Sequence, residues 1–505
     1  MQGWAMRSAG AAWIAGLLCL PLEASAGVSQ PCRVDGIPNE VQCGSVRRAL
    51  DPARADGPRI DVHYLVVPAM ARNKRPDAVL VLAGGPGQSA INLAPLMLPG
   101  LARLNNQRDL VFIDQRGTGQ SAPLQCPEEK HLPLQEAASS QRQLARLQDC
   151  MADLRQLPHG DLRHYTTPVA MQDMEAVRAQ LGYTQWNLIG ASYGTRAALE
   201  YQRQFPAQVR RAVLDGVAPP DMALPASFSQ DGQAALDALF QACEGAADAG
   251  PAAAPGSASC ARQFPQLRQR WKALLASLPR TVQVTHPVTG VVETVTLERD
   301  VVLRAVRLPL YSPALAAALP YALHEAAHGR FNPLLGLGSS LGSSRALRLA
   351  TGMHFSVVCA EDLPRMPAQG AGASPGSDFG DSDARWYRSV CDFWPRAEVD
   401  PAFYTVPTAR APVLLLSGGA DPATPARHGA RVAQALGAMA RHVVVPQAGH
   451  GVLQLGCMRE VVARFITARE DAQALALDAQ CAVAIPRPLP FVPVQPAAPQ
   501  GKHHD

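Results

Sequence analysis

The chain has 505 residues, 47% of them hydrophobic and 17% charged, enough to bury a large core and to build two or more folding units. Its 46 Lys and Arg against 42 Asp and Glu leave a formal net charge of +4, with no long run of either sign. Nothing in that balance resembles a nucleic-acid or membrane-surface footprint, so a peptide or small-molecule substrate is the expectation.

The first residues carry a single Arg7, an apolar stretch over 11–22 and then Ala24-Ser25-Ala26, a small-x-small pattern. Residues 1–26 are expected to be a signal peptide cut after Ala26, because the apolar run is too short to span a bilayer. No later stretch is long enough either. Cysteine usage agrees with export to a periplasmic or extracellular compartment. Of eleven cysteines, Cys19 lies in this first segment, and the even number left fits five disulfides in an oxidising environment. They fall into near neighbours along the chain, although spacing leaves the connectivity open. No CxxC pair occurs, so neither a zinc site nor any cofactor is expected.

From 27 to 219 apolar strands alternate with amphipathic helices. Residues 59–68 alternate like a strand; 78–82 (AVLVL) form a short apolar run that ends in Gly84-Gly85-Pro86-Gly87; 110–113 form another, followed by Asp114-Gln115-Arg116-Gly117. Thr167 and Pro168 are expected to open a helix as N-cap and first helical residue, with Gly182 as its stop. A strand over 186–189, a helix over 192–205 and a strand over 209–214 complete a βαβ series. Such a series specifies a mostly parallel sheet covered on both faces. From 220 to 410 the pattern turns mainly helical, with a hairpin expected around 286–290 and low-complexity stretches at 246–259 and 366–383. Strand patterns resume at 412–416 and 442–445 within a section spanning 411–485. A helical insertion between sheet strands is how a cap is built over a site. The segment 486–505 is Pro-rich and expected to be extended or disordered.

Gly190-Ala191-Ser192-Tyr193-Gly194 matches G-x-S-x-G, in which a sharp strand-to-helix turn holds a serine in a strained conformation and the glycines remove colliding side chains. The pentapeptide alone is cheap, since Gly338-Ser339-Ser340-Leu341-Gly342 matches too. Context selects Ser192 as nucleophile: it follows the apolar run WNLI and opens a helix-forming segment, whereas Ser340 lies in a Gly/Ser-rich stretch with no strand before it. A serine needs a base, and His450 sits just after the strand that ends at Val445. Asp421, after the strand PVLLL, would orient the imidazole, with Asp215 after the 209–214 strand as the alternative acid. The glycine-rich turn at Gly84 and Gly85 can aim backbone N–H groups at an oxyanion, with the N–H of Tyr193 as partner.

Taken in order, GGPGQS at 84–89, DQRGTGQS at 114–121, GASYGTR at 190–196, LDG at 214–216, GGADPATP at 418–425 and AGHG at 448–451 resemble the proline iminopeptidase and tripeptidyl aminopeptidase family of serine exopeptidases. The resemblance covers nearly all of the chain after the leader. It implies an α/β-hydrolase fold, a TAP-like C-terminal region, and an aminopeptidase acting through an acyl-enzyme; an esterase or amidase with the same triad is the alternative. Ala83 stands where proline iminopeptidases carry His, which resembles the tripeptidyl branch more closely. That branch also carries an acid after a cap cysteine. By this likeness Glu361, with Asp362 second, in Cys359-Ala360-Glu361-Asp362 is expected to bind a substrate ammonium through a charge-assisted hydrogen bond of roughly 1.5–3 kcal/mol.

Overall fold

The computed structural model describes residues 29–128, 131–245, 257–340, 344, 347–367 and 376–493. The expected signal peptide, much of the low-complexity stretches and the end of the Pro-rich segment lie outside the described residues. Strands β1 (Gln30–Cys32), β2 (Val41–Ala49), β3 (Arg59–Val67), β4 (Ala78–Leu82), β5 (Leu110–Ile113), β6 (Trp186–Ala191), β7 (Val209–Asp215), β10 (Val413–Gly418) and β11 (Ala440–Val445) form one sheet in the order β1-β2-β3-β5-β4-β6-β7-β10-β11. Pairing is parallel from β5 to β11 and antiparallel from β1 through β3 to β5.

Residues of β4, β5 and β10 are buried throughout, as unbroken apolar runs covered on both faces must be. The two-residue period sorts their side chains. Val79, Val81, Phe112, Ile189, Val213, Leu414 and Leu416 point to a layer containing the helices Ala90–Asn105 and Met458–Thr467. Leu80, Leu82, Val111, Leu188, Leu214 and Leu415 point to the layer of Thr167–Leu181 and Tyr193–Gln204. Because the central strands run parallel, the turns after β4, β6, β7, β10 and β11 all emerge at one edge of the sheet.

Several local expectations shift. The strand β2 carries VQCGSVRRA, which has no apolar alternation, and sequence periodicity passes over it. Its pairing with β3, from Gln42 opposite Val66 to Ala49 opposite Arg59, makes it a strand. Thr166, not Thr167, is the N-cap of the helix Thr167–Leu181, which frees the Thr167 hydroxyl for another partner. Gly182 ends that helix in the left-handed conformation at φ 73°, as the stop signal implies.

The insertion divides its packing. Side chains from Ala235 to Leu334, joined by Phe379, make a separate cap core. The hairpin of β8 (Arg280–Thr285) and β9 (Val292–Leu297) belongs to it and turns where expected. Met353, Phe355, Val357, Cys359, Val390, Cys391 and Trp394 instead join the main core on the side of the helix Tyr193–Gln204. Residues 486–493 are extended and return to the cap: Phe491 N–H donates to the Ala317 carbonyl at 2.8 Å, and its ring meets Tyr321 edge-on. Five disulfides pair the cysteines in sequence order, Cys32–Cys43, Cys126–Cys150, Cys243–Cys260, Cys359–Cys391 and Cys457–Cys481. Among the described residues no helix is long and apolar enough to cross a membrane.

Candidate active site

Ser192 sits on the turn between β6 and the helix Tyr193–Gln204 at φ 55° and ψ −121°, a conformation that non-glycine residues avoid at a cost of order 1–3 kcal/mol. The surroundings hold it there. Its N–H donates to the Asp215 carbonyl at 2.8 Å, and Thr195 Oγ1 donates to the Ser192 carbonyl at 2.6 Å. The flanking glycines are required by close approach: a Cβ on Gly190 would lie 2.3 Å from the Gly194 carbonyl oxygen, and one on Gly194 would lie 2.2 Å from that of Leu82. The competing Ser340 follows the helix Asn332–Ser339, is exposed, and donates to the Leu337 carbonyl, with no strand before it.

His450, on the turn after β11, and Asp421, on the turn after β10, are joined by a 2.8 Å hydrogen bond from Nδ1 to Oδ2. Asp421 is fully committed: Oδ1 accepts from the N–H groups of Ala423 and Thr424 at 2.8 and 2.9 Å, and Oδ2 also accepts from Thr424 Oγ1 at 2.9 Å. Burial favours its neutral form, but His450 and these donors outweigh that and hold the carboxyl below the ordinary carboxylate range. At His450 burial opposes the charged ring, yet the charge and hydrogen bond of Asp421, with Asp215 beyond, raise its pKa above the usual imidazole value. Only Nε2 is left for chemistry. The cap reaches this ring directly, since the Tyr311 carbonyl accepts the His450 N–H at 2.8 Å and the Tyr311 ring meets the imidazole edge-on at 5.1 Å.

Asp215, the alternative acid, makes no such bond. Its carboxylate accepts the N–H groups of Val452 and Leu453 at 2.8–3.0 Å and so anchors the loop that carries His450. Burial raises its pKa, and those two amides and His450 counter only part of that.

The turn after β4 lies against the serine: a Cβ on Gly84 would be 3.3 Å from that of Ser192. Gly85 has φ +110° and precedes a cis peptide to Pro86. The Gly84 N–H donates to Gln88 Oε1 at 3.1 Å, whereas those of Gly85 and Tyr193 have no acceptor among the described residues. His354 props this turn from behind, its Nδ1 3.0 Å from the Pro86 carbonyl and its Nε2 2.9 Å from the Tyr387 hydroxyl.

Glu361 and Asp362 are both buried, on the π-helical turn Val358–Asp362. Glu361 accepts from the Thr167 N–H at 2.6 Å and bonds the Thr167 hydroxyl at 2.9 Å. Asp362 pairs with Arg196 at 3.1 Å and accepts from the Leu224 N–H at 2.9 Å. Thr424, Tyr311 and Arg196 were not singled out from the sequence as site residues, and Thr167 was singled out only as a helix N-cap. Thr424 alone carried a local signal, since an Asp followed three residues on by Thr is a side-chain-closed turn.

A mostly parallel sheet with a strained serine on one carboxyl-edge turn and a bonded His–Asp pair on two others is the architecture of an α/β hydrolase. The family model for the alpha/beta hydrolase fold matches residues 77–455, and the chain belongs to that family. It is similar to a tripeptidyl aminopeptidase of Streptomyces coelicolor, 33% identical over 215 residues, a match that spans only 39% of this chain and 39% of that relative. It is also similar to carboxylesterase B of Mycobacterium tuberculosis, 28% identical over 447 residues, 79% of this chain and 78% of that protein. Among solved structures, the proline iminopeptidase of Mycobacterium smegmatis aligns with 17% identity and a TM-score of 0.35, covering 86% of this chain and 100% of that one.

Proposed function

We propose that this protein is an exported serine hydrolase that releases residues or short peptides from free amino termini through an acyl-enzyme. The observation that carries the hydrolase reading is the 2.8 Å His450–Asp421 bond at the sheet edge that also bears Ser192 at positive φ. Ser192 Oγ attacks the scissile carbonyl carbon while its proton passes to His450 Nε2, and Asp421 stabilises the imidazolium. The N–H groups of Gly85 and Tyr193 receive the oxyanion; Gly84 joins them only by giving up Gln88. The carbon–nitrogen bond then breaks, His450 returns the proton to the leaving amine, and water repeats the sequence to free the acid and regenerate Ser192.

Similarity to a tripeptidyl aminopeptidase supports the peptide substrate. Similarity to a carboxylesterase over most of the chain supports a second reading, the same chemistry on small esters. Five disulfides support the oxidising compartment. A panel of free and N-acylated aminoacyl, dipeptidyl and tripeptidyl chromogenic amides, with short-chain esters, separates the two. The peptide reading expects the highest kcat/KM on free-amine amides; a preference for N-acylated amides or esters selects the esterase. A fluorophosphonate is expected to label Ser192 and to lose its target in Ser192→Ala but not in Ser340→Ala. A label on Ser340 would overturn the assignment.

A further inference from the structure

The nucleophile helix begins with a strained residue, and strain of that kind persists only where the surroundings over-determine it. Two side chains of its first turn are held from behind. The Tyr193 hydroxyl lies 2.5 Å from Thr167 Oγ1 and accepts from Gln115 Nε2 at 3.0 Å. Thr167 is gripped in turn by Glu361 through both its N–H and its hydroxyl. Three residues on from Tyr193, Arg196 donates to both oxygens of Asp362 and to the Met222 carbonyl, and its Nη1 lies 3.9 Å from Glu361 Oε2. The side chains of Glu361 and Asp362 are 0% exposed. The π turn that presents them side by side is fixed to the helix Ser382–Cys391 by the Cys359–Cys391 disulfide.

We propose that Glu361 and Asp362 are positioning residues for the nucleophile, acting through Thr167–Tyr193 and through Arg196, and not ligands of a substrate ammonium. The inference rests on Ser192 being that nucleophile. An ammonium would have to displace Thr167 from a carboxyl that solvent does not reach, at the cost of leaving the buried Thr167 amide without a partner. The relay from Glu361 to Gln115 instead runs unbroken to the residue whose N–H faces the oxyanion. Thr167 Oγ1 donates to Glu361 Oε2 and so accepts from the Tyr193 hydroxyl, which accepts from Gln115 in turn; burial lifts the Glu361 carboxyl to about 8 against the pull of Arg196 and Thr167. Its amide analogue can still accept the Thr167 N–H through its remaining oxygen.

The test compares Tyr193→Phe, Thr167→Val, their double variant and Glu361→Gln on free-amine amides, N-acylated amides and esters. Tyr193→Phe and Thr167→Val are each expected to lower kcat about tenfold on all three classes with KM within about twofold, because loss of position acts on the reacting complex and not on one substrate group. The double variant should fall no further than the worse single one, since both cut the same relay. Thr167→Ser, which restores the hydroxyl, should recover the loss. Glu361→Gln should change all three classes by the same factor. A rise in KM for free-amine amides alone in Glu361→Gln would make it the ammonium ligand and overturn the proposal, as would unchanged kcat in Tyr193→Phe and Thr167→Val. If the wild type prefers esters, the peptide reading fails while this comparison stands, because it is read on every class; thermal melts of each variant separate a loss of position from a loss of fold.

Discussion

Replacing Asp421 by Asn isolates the electrostatic part of the site, because the two side chains have the same shape. The amide oxygen can keep the bonds from the Ala423 and Thr424 N–H groups at 2.8 and 2.9 Å. The amide nitrogen then faces Thr424 Oγ1 and His450 Nδ1, where the carboxylate accepted. It must donate to Nδ1, which moves the imidazole proton to Nε2 and removes the lone pair that takes the serine proton. A wrong tautomer in a Ser-His-Asp triad costs on the order of 10⁴ in kcat, about 5.4 kcal/mol at 1.36 kcal/mol per decade. The effect on the fold is smaller, about 1–3 kcal/mol for exchanging one charge-assisted bond for a neutral one. Steady-state kinetics on the best substrate of the panel, with thermal melting as control, measures both. Asp215→Asn keeps the oxygen that accepts from Val452 and Leu453 and leaves the His450–Asp421 bond untouched, so its kcat is expected within about tenfold of wild type. If Asp421→Asn stays within tenfold of wild type, or Asp215→Asn is the worse of the two, the acid has been misassigned.

The pH profile carries the same logic. A general base must be unprotonated, and Asp421 raises the His450 pKa, so kcat/KM should rise with pH along a limb whose midpoint lies above the ordinary value of 6.5. Asp421→Asn should move that limb toward lower pH, since burial alone depresses an imidazole; a limb that stays put would assign it to another group. Two glycine variants test the turn. Gly194→Ala, with its Cβ 2.2 Å from the Leu82 oxygen, should abolish activity and lower Tm, whereas Gly182→Ala meets nothing within 4 Å and should cost only about 1 kcal/mol for its positive φ. Equal melting temperatures for the two would remove the steric account of the Gly190–Gly194 turn.

Much of the fold was legible along the chain because the central strands are covered on both faces and so are apolar runs, AVLVL at 78–82 above all. The strand-to-turn junctions follow from the same runs, which is why the sequence alone sets Ser192, Asp421 and His450 each at a strand end. Local chemistry also separated Ser192 from Ser340. Even the hairpin between β8 and β9 announces itself, in alternating residues around a Pro and a Gly.

Only tertiary structure decided which partners each acidic residue takes. Asp215 is the last residue of β7 and Asp421 lies on the turn after the neighbouring β10, and pairing to His450 or to the amides of Val452 and Leu453 depends on how β11 and its loop fold over β10. The burial of Glu361 and Asp362 has no local signal either, because their partners Thr167 and Arg196 lie 194 and 166 residues away. The same holds for β2, which becomes a strand through β3, and for Tyr311, which the cap delivers to His450. Periodicity and turn chemistry are properties of neighbours in sequence, so a single chain reports strands, turns and the residues at their ends. Burial and hydrogen-bond partnership are properties of neighbours in space, and these separate a carboxylate bonded to a histidine ring from one that holds a loop.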